Sequence, residues 1–379
     1  MTGVRKEDGF PKEVQGIRKG FFMKKRIVSI EVLRILAMMM VVMLHYLGKG
    51  NLLPSLTGEL QPNHYVAWAM ESFCVVAVNV YMLISGYFLV ESGFKAARLV
   101  ELLCQVLFYT LLIPMILFGL GVIGKEDITI YVLLQNILPI QMNHYWFMNA
   151  YVVMYLFSPI LSVAAKTMKK EQLKGAIIAL LLFFSVSKTV LPVQLSMDNR
   201  GNDGLWFICV YLVAAYIRLY GIPFFAGKNG FRRSILCYLG GCAGIYVLTF
   251  AIRFVHLMTG KFDYFVHICF DYNHVLNLFA AVGLFYAFLQ LKLSSEGRLA
   301  KIVYFAAPYS LGVYLFHEQM QLRMLWPHWL GASADGHPVM FVLRCIGCVL
   351  LVYLIGTLVD ACRSMLFHGV KRVFAKNRK

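Results

Sequence analysis

Apolar residues fall in ten long blocks separated by short polar stretches: 27–47, 66–90, 98–122, 145–165, 174–193, 205–220, 232–254, 274–291, 302–326 and 338–360. A helix needs about 20 apolar residues to cross the hydrocarbon core, so the pattern predicts ten transmembrane helices, with 205–220 the shortest. The block 128–140, "ITIYVLLQNILPI", is apolar but too short to span. It is expected to lie at the interface or to re-enter. The fold class expected is all-α, a polytopic membrane protein.

Composition agrees. Of 379 residues, 60% are hydrophobic and 15% charged, and the mean hydropathy is +0.68; a soluble surface needs more charge than that. The formal net charge is +17, which alone would suggest an acidic partner such as nucleic acid. Its distribution gives another reason. With the N-terminus placed in the cytoplasm, 27 of the 36 Lys and Arg residues fall on the cytoplasmic side and 7 at or near the outer ends. That asymmetry orients the chain with both termini cytoplasmic, and the basic side meets anionic lipid. No nucleic-acid partner is required.

Three regions follow: a cytoplasmic tail, 1–26; a ten-helix domain, 27–360; and a basic cytoplasmic tail, 361–379. Residues 1–22 are expected to be an upstream extension, because "MKKRIVSIEVLR" from Met23 reads as a natural start. The first block is long, carries charges and lacks a small-residue cleavage site, so it is expected to be retained and not cleaved as a signal peptide. Cys345 and Cys348 form a CxxC pattern, but inside a span, where cysteine acts as a small hydrophobe. No metal-spaced His/Cys cluster, Walker loop or dinucleotide fingerprint is present, so neither a metal site nor a bound cofactor is expected.

The first block, "EVLRILAMMMVVMLHY" at 31–46, holds Glu31, Arg34 and His45. On a helix, His45 lies about 20° past three turns from Arg34, and Glu31 about 60° from it. All three share a face with Met38 and Val41. Each charge facing lipid would cost on the order of 2.5–3.5 kcal/mol at the bilayer centre, so the stripe is expected to face other helices or a cavity. A plainer reading pairs Arg34 with Glu31 as a cytoplasmic anchor and leaves His45 in the interface. The height difference favours a ligand: His45 stands about 16 Å above Arg34. That suits an elongated molecule such as coenzyme A, with phosphates near Arg34 and its thioester near His45.

Arg, ten residues, then His in the first of ten spans resembles the acyltransferase-three family of integral-membrane acyltransferases. The likeness continues in "VYMLISGYFL" (80–89), "HYWFMNAYVVMYLFSP" (144–159), "LWFICVYLVAAYIRLY" (205–220) and "SLGVYLFHE" (310–318). One departure is Glu31, where many members carry Asp. The resemblance implies transfer of an acyl group, often acetyl, from cytoplasmic acyl-CoA to a hydroxyl of an extracytoplasmic carbohydrate or other envelope molecule. It implies a multi-pass protein of the bacterial cytoplasmic (inner) membrane, with acyl-CoA, the glycan or lipid-linked sugar acceptor and membrane lipid as partners.

Topology places the other candidates by depth. Ser85, Gly86 and Tyr87 reach the level of Glu31 and Arg34, either as acyl-CoA contacts or as small-residue helix packing. Glu71 reaches the level of His45, where it would orient the imidazole as the carboxylate does in a catalytic triad, or make a polar contact elsewhere. His144 and Trp146 open the fourth span. The default for Trp146 is the interfacial aromatic belt, the alternative a sugar platform. His317 and Glu318, an adjacent ionisable pair in the ninth span, join them as acceptor-side candidates. Gly240 and Gly244 read as a helix-packing pair. Alcohol attack on a thioester needs a base near neutral pH, a role assigned to His45. The rival readings are a transporter or flippase of envelope sugars, which would carry broken helices or repeats, and a polysaccharide polymerase, which would carry a large outer loop.

Overall fold

A computed structural model describes residues 26–192 and 196–376, and among these the chain forms helices and no strand. The expected tail and upstream extension lie outside the described residues except for Arg26. Helix α1, Val28–Lys49, has Glu31 in its first turn and Lys49 in its last, each charge complementing the helix dipole. Next come α2, Pro62–Cys74, and α3, Ala77–Ser92, which together make one bent span. Then follow α4, Ala96–Gly119, the short α5, Ile130–Ile137, and α6, Trp146–Thr167. Helix α7, Lys170–Val190, contains a π-turn at Leu182–Val186. Beyond it lie α8, Gly204–Tyr220, α9, Gly230–Thr259, the short α10, Asp263–Ile268, and α11, Val275–Gln290. The chain closes with α12, Arg298–His317, the single turn α13, Trp326–Trp329, and α14, Pro338–Lys376.

Each of the ten predicted blocks holds a helix, and among the described residues eight helices are long and apolar enough to cross a membrane. Helices α8 and α11 are shorter, 17 and 16 residues. The segment at 128–140 forms only the eight residues of α5. Two boundaries differ from expectation. Helix α14 runs past 360 into the predicted tail, where Arg363 pairs with the buried Asp360 (2.6 Å), which also accepts from Tyr109 and Gln105 of α4. Helix α12 ends at His317, well short of 326, because Gln319 Oε1 takes the backbone N–H groups of Gln321 and Leu322. Those local bonds replace the next helical turn.

Helix α1 lies in the middle of the bundle against α2, α3, α11, α12 and α14. Peripheral helices expose Met115, Ile160, Phe254, Met340 and Leu354, an apolar rim of the kind that meets lipid. Helices α9 and α11 pack closely through Gly241 and Gly283. A Cβ on Gly241 would stand 2.7 Å from Ala280 Cβ, and one on Gly283 would stand 2.8 Å from Cys237 Cβ. Gly241, not the expected Gly240, is the contact; Gly240 has nothing within 4 Å.

One end of the bundle is closed by loops stapled from within. Lys188 Nζ lies 2.8 Å from Asp198 and 3.0 Å from Asp271, all three buried. Asn273 donates to Asp198 (2.8 Å) and to the carbonyl of Phe184, within the π-turn (3.1 Å). Asn79 of α3 donates to the carbonyl of Tyr272 (2.7 Å) and accepts from the indole of Trp206 (2.9 Å). Removing one partner of such a buried ion pair strands the other charge, which costs several kcal/mol, about 3–5. The 269–274 loop is therefore rigidly held.

Candidate active site

His45 sits near the end of α1 with its side chain 15% exposed. Its Nδ1 is 2.8 Å from Nε2 of His317 and 3.3 Å from Oε2 of Glu318. Nδ1 of His317 lies 2.6 Å from the carbonyl of Val313. A carbonyl only accepts, so that nitrogen carries a hydrogen, and in the neutral ring Nε2 of His317 is a lone pair. Nδ1 of His45 then faces two acceptors and must be the donor. This network assigns the tautomer and leaves Nε2 of His45 with a free lone pair. Among the described residues that atom has no hydrogen-bond partner.

Glu318 is 2% exposed. Its other oxygen, Oε1, is 3.5 Å from Lys49 Nζ and 3.3 Å from Arg323 Nη1. The carboxylate points at His45 because α12 stops one residue earlier and Glu318 caps it. The following loop is pinned from across the site: Nε2 of His144 accepts the N–H of Met320 at 3.2 Å. Burial lowers the pKa of His144 to about 4, keeping the ring neutral and able to accept. His144 is thus a brace for the loop. Glu71, expected to orient the imidazole, makes no ion pair with His45. Its Oε2 is buried without a partner, and it acts electrostatically on Cys74 and Tyr272. The carboxylate that faces the imidazole is Glu318, since the bend of α2–α3 and the end of α12 decide which acid arrives.

Aromatic rings wall this centre. Tyr314, one turn before His317, has its ring 6.2 Å from that of His45 and 5.7 Å from those of Tyr145 and Phe147. Its hydroxyl is buried and has no partner. Trp146 faces inward, stacked on Tyr272 (5.5 Å, 20°) and edge-on to Phe147 and Phe207. The belt expectation for Trp146 is corrected: its ring finds closer partners inside the bundle than in the interface.

At the other end of the stripe, Arg34 lies 3.6 Å from Glu31, which Arg26 also approaches at 3.8 Å. Glu31, Met38 and Val41 are buried, so the stripe does face inward. Tyr81 donates to the carbonyl of Arg34 (2.7 Å). Tyr151 faces Ser85 and lies within electrostatic reach of Arg34 and Arg98. The Ser-Gly-Tyr run divides, because successive helical residues point about 100° apart. Ser85 turns to the Arg34 side. Gly86 packs on α8, where a Cβ would stand 2.9 Å from Ala214 Cβ and 3.1 Å from Tyr211 Cα. Tyr87 turns away, under the guanidinium of Arg218 at 5.0 Å.

Lys49, Tyr314 and Arg323 were not among the sequence candidates. The first two were findable: Lys49 is four residues after His45 and Tyr314 three before His317, each on the same helical face. Arg323, on a loop, gave no periodic signal.

The model of the acyltransferase domain family matches residues 27–357, and the chain belongs to that family. No curated protein and no solved structure matches it.

Proposed function

We propose that this membrane acyltransferase moves an acetyl group from cytoplasmic acetyl-CoA to a hydroxyl of an extracytoplasmic carbohydrate, with His45 as general base. The observation that carries the reading is the free Nε2 of His45, about 16 Å along one buried helix from Arg34, in a centre walled by the Tyr314 ring whose hydroxyl has no partner. In this proposal all ten helices cross a bacterial cytoplasmic membrane, with both termini inside. The two short ones, α8 and α11, still rise about 24–26 Å, close to the hydrocarbon thickness.

Acetyl-CoA enters from the cytoplasm, its phosphates drawn to Arg34 and Arg98 and its arm passing Ser85 and Tyr151. Nε2 of His45 takes the acceptor hydroxyl's proton as that oxygen bonds to the thioester carbon. The carbonyl oxygen becomes negative and accepts from the Tyr314 hydroxyl, which reaches it without losing another partner. The carbon–sulfur bond then breaks, and the CoA thiolate takes the proton from the His45 imidazolium. Glu318 stabilises that imidazolium through Nδ1, as in a catalytic triad. A stepwise route through an acyl-imidazole would use the same Nε2.

Membranes holding the protein, incubated with labelled acetyl-CoA and envelope carbohydrate, should yield labelled carbohydrate from wild type and none from His45→Ala. Passage of sugar across the membrane without label would instead support a transporter and remove the reading.

A further inference from the structure

Two buried polar atoms on α2 are used by nothing described so far. Trp68 Nε1 and Glu71 Oε2 are both shielded from solvent and without hydrogen-bond partners. They are three residues apart, so they share a helical face. Leaving a donor and an acceptor unmade in one place costs on the order of 1–3 kcal/mol for each, and such pairs in native structures point to a use.

The surroundings are built and rigid. The stapled 269–274 loop sends down two rings: Phe270 against Trp68 (centroids 4.8 Å) and Tyr272 against Trp146 (5.5 Å, stacked). Tyr272 lies within electrostatic reach of both Glu71 and Glu318. Leu44, the residue before His45, packs with Val75 and Cys269, and with Phe270 and Tyr272 at their edge. The compartment therefore borders the base. No cation pairs with Glu71 among the described residues, so nothing beside it would offset the charge of an anionic ligand.

On the acyl-transfer reading, we propose that Trp68, Glu71, Trp146 and Tyr272 form the acceptor subsite, and that it takes a neutral pyranose ring. One sugar hydroxyl donates to Glu71 Oε2, another oxygen accepts from the Trp68 indole, and the ring's C–H face lies on the stacked aromatics. The hydroxyl to be acylated then projects past Leu44 towards Nε2 of His45. The subsite needs no acyl donor to bind.

Equilibrium dialysis of the detergent-purified full chain tests this, with radiolabelled methyl glycosides of glucose, galactose, mannose and rhamnose as probes and glycerol as control. At least one glycoside should bind saturably. Glu71→Gln and Trp68→Phe should each weaken it about 10-fold or more in protein that remains monodisperse and helical. If Glu71→Gln fails to fold, Trp68→Phe carries the test. Absence of saturable glycoside binding, or equal affinity in the folded variants, overturns the subsite. Residue-dependent binding without acetyl transfer would leave the subsite standing and remove the transferase reading; transfer without that dependence would do the reverse.

Discussion

Nδ1 of His45 and Nε2 of His317 meet at 2.8 Å across 272 positions of chain. The bond sets the protonation pattern of the whole centre. His317 is anchored by the carbonyl of Val313 on its own helix, so it offers only a lone pair to His45, and Nε2 of His45 is left pointing the other way.

The carboxylate of Glu318 should matter through its charge. Lys49 and Arg323 both approach Oε1, so in Glu318→Gln the amide oxygen stays with them and the amide NH2 faces His45. That group carries no charge and cannot stabilise the imidazolium as a carboxylate does, while His317 still holds the ring's hydrogen on Nδ1. Transfer should fall by about two orders of magnitude or more, with the melting temperature little changed. Near-wild-type kcat in a folded Glu318→Gln protein would remove that stabilising role.

The two ends of the stripe should separate in kinetics. His45→Ala should lower kcat by about 10²–10⁴-fold with little change in KM for acetyl-CoA. Arg34→Ala should mainly raise that KM, by about 10- to 100-fold for a lost charged hydrogen bond to phosphate. Steady-state assays on purified, inserted protein distinguish the two, and a shared kcat effect with unchanged KM would contradict phosphate binding at Arg34.

Tyr314→Phe removes one oxygen and keeps the ring. Because the hydroxyl has no partner to strand, the variant should be as stable as wild type or slightly more so. Its kcat should nevertheless fall by about 10- to 1000-fold, the range for loss of one oxyanion donor. Unchanged kcat would assign Tyr314 to packing alone.

Gly86→Ala should be a stability variant, not a binding variant. The added methyl meets Ala214 Cβ at 2.9 Å and Tyr211 Cα at 3.1 Å, an overpacking that costs about 1–3 kcal/mol. The melting temperature in detergent should drop while the remaining protein keeps its KM for acetyl-CoA. A raised KM at unchanged stability would return Gly86 to the ligand.

The loop behind Glu318 should loosen in acid. His144 titrates near 4 when folded, lowered by burial, and near 6.5 unfolded. Between those values the unfolded chain binds more protons, so the contact is fully stable above about pH 6.5 and weakens as pH falls towards 4. Hydrogen exchange at Met320, corrected for intrinsic rate, should show protection falling over that window. In His144→Ala it should be low throughout, and pH-independent protection in wild type would sink the brace.

Much of the architecture was legible because long apolar blocks favour helix, and each of the ten holds one. The inward turn of the Glu31–Arg34–His45 stripe was legible too, since one helix carries it and helical period alone aligns it. Less legible was the junction after His317: "EQMQLRML" is apolar enough to read as helix, and only the bonds to the Gln319 side chain end it there. The split of Ser85, Gly86 and Tyr87 onto three different surroundings was implicit in the helical period, but the neighbours on each side were not.

By itself, then, the order of residues determined which segments form long apolar helices and which three polar groups of the first helix share one face. Only the packing of distant helices decided that Glu318 and not Glu71 faces the imidazole, that Trp146 turns inward, and that Tyr314 brings its ring near His45 with its hydroxyl unpartnered. The reason is one of range. Hydrophobic periodicity is a local property of one helix, whereas the partner of a side chain across a bundle depends on bends, helix ends and loop staples contributed by segments hundreds of residues apart.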